Sequence, residues 1–435
     1  MTTEPGSVQT SRRLGPEETD KEIRRVYTAC LLYGISEMLF ANSFMLLYLA
    51  KLGVPSERIL LYLAIPIFVS LFALVPFAQW TDRLGKVFTG VLGLSLATLA
   101  MGILVTVGFL PLPFVEPLII LSMCLYGVGW GMYLDGFFPM LATVVPKERR
   151  GRFFGNNRFI YQTGSIAFTF LVTWTLARNA SLLVFQVFLA VAVLLRLSGI
   201  ALYAKIPELE QPSPVTGVTL WASLSRAIGH PGYLAFCAYV FLLSLFTGAC
   251  PSIVSLLAKD TLRMTAGQVM LIGNLLTIGA LAGFFLGGRL VDRIGTRYVF
   301  MSCHFSFALI LVAFLLRTLV PLPLLYAVGA LALLFGLVQA FSSVAVSSEM
   351  LAIIPEEGKA MATAVNLSLM YLGVSLSGIF SSQVLKLGML SPAWKMLGCE
   401  LGAYDSLLLA CGVMMFLLVV TLGLVPSVIK KVQWG

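Results

Sequence analysis

Charged residues are scarce in this chain. Of its 435 residues, 29 are Lys or Arg and 20 are Asp or Glu, which is 11% of the total, against about 25% in an ordinary soluble domain. Apolar residues make up 59%. This composition excludes a water-soluble globule, because so much apolar surface needs a hydrocarbon solvent. It predicts a protein with many membrane spans.

Polar residues are also missing from within the apolar runs. The run Leu407–Val420 holds no polar side chain, whereas the strands of a membrane β-barrel alternate apolar and polar residues. A helix satisfies its own backbone hydrogen bonds, so it is the expected spanning element. The sequence predicts an all-α polytopic membrane protein.

Residues that carry out catalysis or hold metals are few and scattered. The chain has two histidines, His230 and His304, and seven cysteines without a C-x-x-C pair. The motifs H-E-x-x-H, G-x-S-x-G and G-x-x-x-x-G-K-[ST] are absent, so protease, hydrolase and ATP-driven chemistry are not expected. We predict a protein that is not an enzyme and that uses no metal and no cofactor.

Twelve apolar runs are long enough to cross a bilayer, and they fall into two sets of six.

The net charge of +9 is explained by membrane topology, since the chain has no soluble basic domain that would bind nucleic acid. Lys and Arg are more frequent in the predicted inner segments, which places both termini in the cytoplasm. We expect a monomer in the lipid bilayer of the cell membrane (inner or plasma membrane). The predicted organisation is a cytoplasmic tail at 1–25, a six-helix bundle at 26–204, a cytoplasmic linker with an amphipathic helix at 205–231, a second bundle at 232–428 and a tail at 429–435.

A short charged motif occurs twice, at the same place in each half. Asp82-Arg83-Leu84-Gly85 follows the second span, and Asp292-Arg293-Ile294-Gly295 follows the eighth. The offset is 292 − 82 = 210 residues, which indicates an internal repeat of two parallel halves. We predict that each glycine makes a tight reversal with positive φ, and that the Asp and Arg side chains pair across the halves.

The second copy, Gly288-x-x-x-Asp292-Arg293-x-Gly295-x-Arg297, resembles the G-x-x-x-D-R-x-G-R-K signature of the major facilitator superfamily. The first copy departs from it at Ala78. The glycine-rich fourth span, ending near Pro146, is also similar to that family. The resemblance implies twelve transmembrane helices in two pseudo-symmetric six-helix bundles that alternate access to a central site. It also implies a cytoplasmic gate, which we assign to Asp82, Arg83, Gly85, Lys86, Arg150, Gly288, Asp292, Arg293, Gly295 and Arg297.

Ionisable residues inside the spans are functional candidates, because a charge in hydrocarbon is costly. Glu37 lies near the middle of span one, and we expect it to bind a proton or cation; a static ion pair is the alternative. Asp135 in span four is either a coupling residue or a structural one, and its depth lets it pair with Arg158 of span five. Arg196 is expected to extend its guanidinium to the headgroups, and His304 is expected to be packed in the interior.

The two halves differ in their polar residues. At the repeat offset, Thr247 stands opposite Glu37 and Val344 stands opposite Asp135, so the midplane carboxylates occur only in the first half. We therefore expect ion coupling in the first half and much of the solute recognition in the second. A largely uncharged cavity suits a small neutral or zwitterionic solute. The predicted cavity residues are Tyr33, Asn42, Asn157, Gln162, Thr247, Asn274, Gln339, Asn366 and Tyr371.

These features predict a secondary active transporter that carries a small organic solute by proton-coupled symport. An efflux antiporter is the first alternative, although the family's Arg in span four and its G-P-x-x-G-G in span five are absent. The sugar-porter signature P-E-S-P-R is also absent, since Pro207-Glu208-Leu209-Glu210 matches only its first two residues. A receptor that binds the solute without moving it is the alternative from another class.

Overall fold

The computed structural model describes residues 14–41, 43–146, 149–209, 231–353 and 359–423. Helices dominate these ranges, and a short hairpin is the one sheet within them. The helices are α1 Pro16–Ala41, α2 Ser43–Lys51, α3 Ser56–Leu84, α4 Lys86–Val107, α5 Leu112–Val144, α6 Arg150–Arg178, α7 Leu182–Tyr203, α8 Pro231–Thr247, α9 Cys250–Leu256, α10 Ala266–Ile294, α11 Thr296–Leu315, α12 Leu324–Ile353, α13 Lys359–Lys386 and α14 Ala403–Leu418. Two π-helical turns, Leu257–Thr261 and Val419–Gly423, follow α9 and α14. The hairpin pairs β1 Trp394–Met396 with β2 Cys399–Leu401.

Ten of the described helical segments are long and apolar enough to cross a membrane, and the pair α1 and α2 makes an eleventh. The helix α6 completes a set of twelve, with less apolar character because its first half carries Arg158 and two asparagines. The fold is therefore the all-α polytopic architecture that the composition predicts. The helix α1 begins at Pro16, ten residues before the predicted span, because Ile23 and Thr19 are buried on its inner face. Most of the predicted linker and the C-terminal tail lie outside the described residues.

The first span of each half is interrupted. The helix α1 ends at Ala41 and α2 begins at Ser43, while α8 ends at Thr247 and α9 begins at Cys250. Pro251 lies in the first turn of α9, where its missing N–H costs nothing. The Ala249 N–H at the second break donates to Ser377 Oγ at 3.0 Å, so this backbone donor is satisfied.

The chain divides into two compact units. The first unit comprises residues 1–37, 69–165 and 189–217. Within it, α4 packs along α5, and an aromatic core forms around Tyr133, with Phe137 and Tyr203 buried beside it. Tyr27 stacks on Phe153 with ring centroids 5.1 Å apart. This core surrounds the charged side chains of the first half.

The second unit comprises residues 38–68, 166–188 and 218–435. Within it α10 packs along α12, and a Cβ on either Gly279 or Gly336 would overlap a carbonyl of the other helix. The helix α10 begins with a capping box, in which Thr265 and Gln268 exchange hydrogen bonds of 2.9 and 3.3 Å. This unit includes the stretches 38–68 and 166–188 from the first half of the sequence.

A buried ion pair holds the hairpin end of the second unit. Arg317 Nη1 donates to Asp405 Oδ1 at 2.5 Å, and Arg317 Nη2 donates to Asp405 Oδ2 at 3.3 Å. The two side chains are 2% and 0% exposed. Asp405 also accepts from the Gly402 N–H at 2.9 Å, so it caps the start of α14. The pair therefore joins the end of α11 to the start of α14.

Candidate functional site

The candidate coupling residue Glu37 lies in a polar cluster of the first unit. The Tyr126 hydroxyl donates to Glu37 Oε2, and Arg196 Nη1 lies 3.5 Å from the same oxygen. Arg196 Nη1 also donates to Ser36 Oγ at 3.2 Å. The Glu37 side chain is 27% exposed. Glu37 was expected to be either a proton or cation site or a member of a static ion pair, and this geometry is that of an ion pair. The cluster joins α1, α5 and α7 of the first unit.

Arg196 does not extend to the headgroups, so that prediction was wrong. Its side chain is 0% exposed, and its guanidinium lies over the Tyr126 ring at 5.4 Å. The guanidinium turns inward because Glu37 and the ring of Tyr126 supply negative charge there. Arg196 Nε and Nη2 are buried without a hydrogen-bond partner among the described residues, so the ion pair leaves this cation incompletely compensated.

The pair between Asp135 and Arg158 that their positions allow is not formed among the described residues in this state. Asp135 Oδ2 is buried and has no hydrogen-bond partner in the part of the chain that the structure describes. Arg158 is exposed, and its Nε donates to Gln162 Oε1 at 3.3 Å while its guanidinium lies 5.9 Å from the Tyr161 ring. Gln162, one turn away on the same helix, competes successfully for the guanidinium. Asp135 is therefore a partly buried carboxylate for which the described residues supply no counter-charge.

Asp135 lies in the last third of α5. It precedes the end of the helix, Val144, by nine residues, which is roughly 14 Å at about 1.5 Å per residue. One turn before it, Gly131 lies against Ala73 and Ser70 of α3, so the small residues on this stripe of α5 do pack closely against a neighbour. Asp135 thus sits beside a tight helix contact.

The predicted cavity residues of the first half lie mostly in the interior. The Tyr33 hydroxyl bonds the Tyr133 hydroxyl at 2.6 Å and Cys30 Sγ at 2.8 Å. Asn157 is buried, and its Oδ1 has no hydrogen-bond partner among the residues described. Gln162 is buried and bonds Arg158. Asn42 lies outside the described residues. Tyr33 is therefore part of the packed aromatic core.

The predicted cavity residues of the second half are dispersed. Thr247 donates to the Leu243 carbonyl of its own helix at 2.8 Å. The Asn366 amide lies 3.5 Å from Cys237 Sγ, and Gln339 and Tyr371 are partly buried. Asn274 is 0% exposed and donates to Thr173 Oγ1 at 2.9 Å. This last bond joins α10 to the outer part of α6, so Asn274 links helices from the two halves of the sequence.

The second unit contains a partly open cavity of about 260 Å³. It lies beside the break between α8 and α9, and none of the residues predicted for solute binding lines it. The predicted residues carry amides and hydroxyls, whereas the lining is mostly apolar. The polar side chains in the lining are Ser43, Ser252, Ser255 and Thr277.

Contacts between the two halves of the sequence surround this cavity within the second unit. Ser382 Oγ donates to the Glu57 carbonyl at 2.5 Å, and Ser43 bonds Ser255 at 3.0 Å. A Cβ on Gly378 would contact Ala64. Segments from both halves of the sequence therefore pack against one another beside the cavity.

The predicted gate turns have the expected backbone. Gly85 has φ 99° and ψ 148°, and Gly295 has φ 84° and ψ 150°, a conformation open essentially to glycine alone. This confirms the predicted positive φ and the repeat.

In the first copy the Val87 N–H donates to Glu208 Oε2 at 2.8 Å, so Glu208 caps α4. Arg83 and Arg293 are exposed and Lys86 is partly buried. The structure does not describe the side chains of Asp82, Arg150, Asp292 and Arg297 or the surroundings of Gly288, so the expected pairing across the halves stays a prediction.

His304 is a packed histidine, as expected. Its Nδ1 bonds the Tyr239 hydroxyl at 2.9 Å and its Nε2 bonds the Ser342 hydroxyl at 3.0 Å. The side chain is 0% exposed. Both ring nitrogens have a partner, so His304 ties α8, α11 and α12 together.

The sequence analysis assigned Arg196 to the headgroups and gave no role to Tyr126, Glu208 or Ser252. Arg196 carried a signal, because a charge well inside a span is buried and paired by default. Glu208 follows the sixth span closely, and a carboxylate there favours a helix N-terminus. Nothing in the local sequence distinguishes Tyr126 or Ser252 from other residues of apolar spans.

Comparison with known proteins gives a family and a fold. A family model described as Major Facilitator Superfamily matches residues 26–378. The solved nucleoside transporter NupG aligns over 93% of this chain and 98% of its own, at 12% identity and a TM-score of 0.68. A POT family transporter in complex with 5-aminolevulinic acid aligns over 94% and 97%, at 11% identity and a TM-score of 0.73. A bacterial homologue of the iron transporter ferroportin, in an inward-facing state, aligns over 93% and 99%, at 12% identity and a TM-score of 0.66. No curated protein matches the sequence. At these identities the structural likeness establishes the shared fold.

Proposed function

The chain belongs to the Major Facilitator Superfamily and is a transporter rather than an enzyme, and on that premise we propose that it carries a small organic solute in symport with protons. Alternating access would expose one solute site to each side of the membrane in turn. The solute site is proposed at the 260 Å³ cavity of the second unit, and the proton site is proposed in the first unit. Cell-membrane location with both termini in the cytoplasm remains part of the proposal.

The observation that carries the proton proposal is the unpartnered carboxylate of Asp135. An ionised carboxylate at this depth is costly unless a counter-charge or a proton neutralises it. Asp135 Oδ2 has neither a cationic partner nor a hydrogen-bond donor among the described residues. A proton is the smallest group that removes this cost, so protonation of Asp135 favours the state described here.

Arg158 supplies the second state in this proposal. It is exposed, and its contacts include Gln162 and the face of Tyr161, interactions that are weak enough to exchange. When Asp135 loses its proton, its charge is neutralised by pairing with Arg158 after the helices move. Proton and guanidinium then compete for one carboxylate, which couples protonation to conformation.

Glu37 has a different part in the proposal. Protonation of Glu37 in the state described here would leave the fully buried guanidinium of Arg196 without its carboxylate, and that is strongly unfavourable. Glu37 therefore binds a proton only in a state in which the ion pair opens. We place the primary proton site at Asp135 and treat Glu37 as the second carboxylate of the coupling site.

The test is proton flux on solute addition in proteoliposomes. A solute is first found by a thermal-shift screen of purified protein against small organic metabolites at two pH values, because a ligand of the folded state raises the melting temperature. A pH dye inside the liposomes then reports proton movement when that solute is added outside. Symport predicts acidification of the lumen. Alkalinisation would show antiport instead, and binding without exchange would show a receptor. The matched control for Asp135→Asn is Asp20→Asn. It removes an exposed partner of Arg149 and is expected to leave the flux unchanged.

A further inference from the structure

The cavity of the second unit has an uncharged lining. Its walls come from α1, α2, α3, α9, α10 and α13, and no Asp, Glu, Lys, Arg or His side chain is among the lining residues. Lys259 and Asp260, in the turn that follows α9, form an ion pair at 2.5 Å, and Tyr404 donates to Asp260 at 2.6 Å. A charged group placed in this lining would lose its hydration without gaining a partner. The lining therefore favours an uncharged occupant.

Most of the cavity's hydroxyl groups are already engaged. Ser255 donates to the Pro251 carbonyl at 3.0 Å and bonds Ser43 at 3.0 Å. Thr277 donates to the Gly273 carbonyl at 2.9 Å. These bonds keep the engaged hydroxyls directed along their own helices, so they offer little to an occupant of the cavity.

Ser252 is the exception within the described lining. It has no hydrogen bond to any described residue, although it is only partly exposed. A serine in a helix commonly donates to a carbonyl one turn earlier, but one turn before Ser252 the chain is interrupted between Thr247 and Cys250. The break in the helix thus leaves one hydroxyl of the cavity without a partner, and that hydroxyl is available to a solute.

The volume limits the size of the solute. Pockets for drug-sized ligands span roughly 300–1,000 Å³, whereas an apolar cavity of about 150 Å³ accepts benzene. At about 260 Å³ this cavity accommodates one substituted ring or a branched aliphatic body of similar size. A larger solute would have to displace the packed helix ends around Ala64.

From these observations we infer that the transported solute is an uncharged, ring-sized molecule with at least one hydrogen-bonding group, and that Ser252 is the side chain that recognises this group. The inference rests on the proposed function in one respect, namely that the solute occupies this cavity. It narrows the earlier expectation of a neutral or zwitterionic solute to the neutral class. It also assigns specificity to a serine that no motif identifies.

The test uses four probes that share one carbon frame: benzyl alcohol, benzamide, benzoate and benzylamine. Dissociation constants are measured by thermal-shift titration of the purified full chain at pH 7, where the first two probes are neutral and the last two are charged. We expect both neutral probes to bind at least 10-fold more tightly than benzoate and benzylamine. Ser252→Ala should weaken the neutral probes by on the order of 2- to 10-fold, as expected for one hydrogen bond, and Ser252→Thr should restore most of the affinity.

The control is Ser347→Ala, which removes an exposed hydroxyl bonded to its own helix and should leave all four dissociation constants unchanged. Partitioning of a probe into detergent affects every variant alike, so the ratio between variants reports the cavity. Equal or tighter binding of a charged probe overturns the inference, as does binding that is insensitive to Ser252→Ala, or an absence of binding by all four probes. Because this experiment involves no proton gradient, its failure is distinct from a failure of proton coupling.

Discussion

Replacing Glu37 by Gln tests whether Arg196 depends on this carboxylate. Glutamine keeps the shape and one acceptor oxygen but removes the negative charge beside a guanidinium that is 0% exposed and has two donors without partners. Breaking a buried ion pair costs about 3–5 kcal/mol. The separation of 3.5 Å and the remaining acceptor place this case near ~2–3 kcal/mol. For a cooperative unit of about 150–250 residues, that corresponds to a melting temperature lower by roughly 5–10 °C.

The assay is a double-mutant cycle in detergent at pH 7, followed by tryptophan fluorescence during heating. Arg196→Met alone should cost less than Glu37→Gln, because the carboxylate is 27% exposed and can be hydrated. The double variant Glu37→Gln with Arg196→Met should recover most of the loss, since no buried charge remains. Glu37→Gln at wild-type stability, or a double variant whose loss is the sum of the single losses, would refute the reasoning.

Three further substitutions give expected outcomes that thermal unfolding of purified variants can check. Gly295→Ala should destabilise the protein by about 1–3 kcal/mol because its φ is 84°. Its control is Gly102→Ala, where an added Cβ meets open space, and this variant should have neutral or raised stability. Equal effects of the two variants would contradict the backbone argument. Arg317→Met should cost about 3–5 kcal/mol by leaving Asp405 buried and unpaired, and Arg317→Met with Asp405→Asn should recover much of that loss; no recovery would show that the pair does not act as a unit. His304→Phe keeps a planar aromatic ring but leaves the Tyr239 and Ser342 hydroxyls without this partner, so a loss of about 1–3 kcal/mol is expected, and unchanged stability would show that those bonds contribute nothing.

The features that could be predicted from the sequence are those that depend on short stretches of chain. The helical spans follow from uninterrupted apolar runs. The positive φ of Gly85 and Gly295 follows from a tight reversal between two helices, which is a local backbone property. The repeat was visible because the same turn recurs at one offset, and the equal backbone angles at the two glycines show that the offset has a structural basis.

The features that could not be predicted depend on residues that are distant in sequence. Glu37 and Arg196 are 159 residues apart, and their pairing depends on how the spans rotate about their own axes. Asp135 and Arg158 have similar depths, but depth alone does not place side chains on facing surfaces, and the nearby Gln162 engages the guanidinium. The free hydroxyl of Ser252 depends on a helix break that composition does not show. Residue type does not show whether a polar group faces a cavity or a neighbouring helix, and Thr247 and Asn274 use their polar groups in helix contacts.

The most direct test of the central claim compares two transport assays of one variant, Asp135→Asn, in proteoliposomes. Counterflow measures exchange of labelled solute without a gradient, and the second assay measures accumulation driven by an imposed pH gradient. We predict that Asp135→Asn retains counterflow near the wild-type rate and loses gradient-driven accumulation, because its amide is permanently neutral. Accumulation at the wild-type level by Asp135→Asn would contradict the assignment of the proton site.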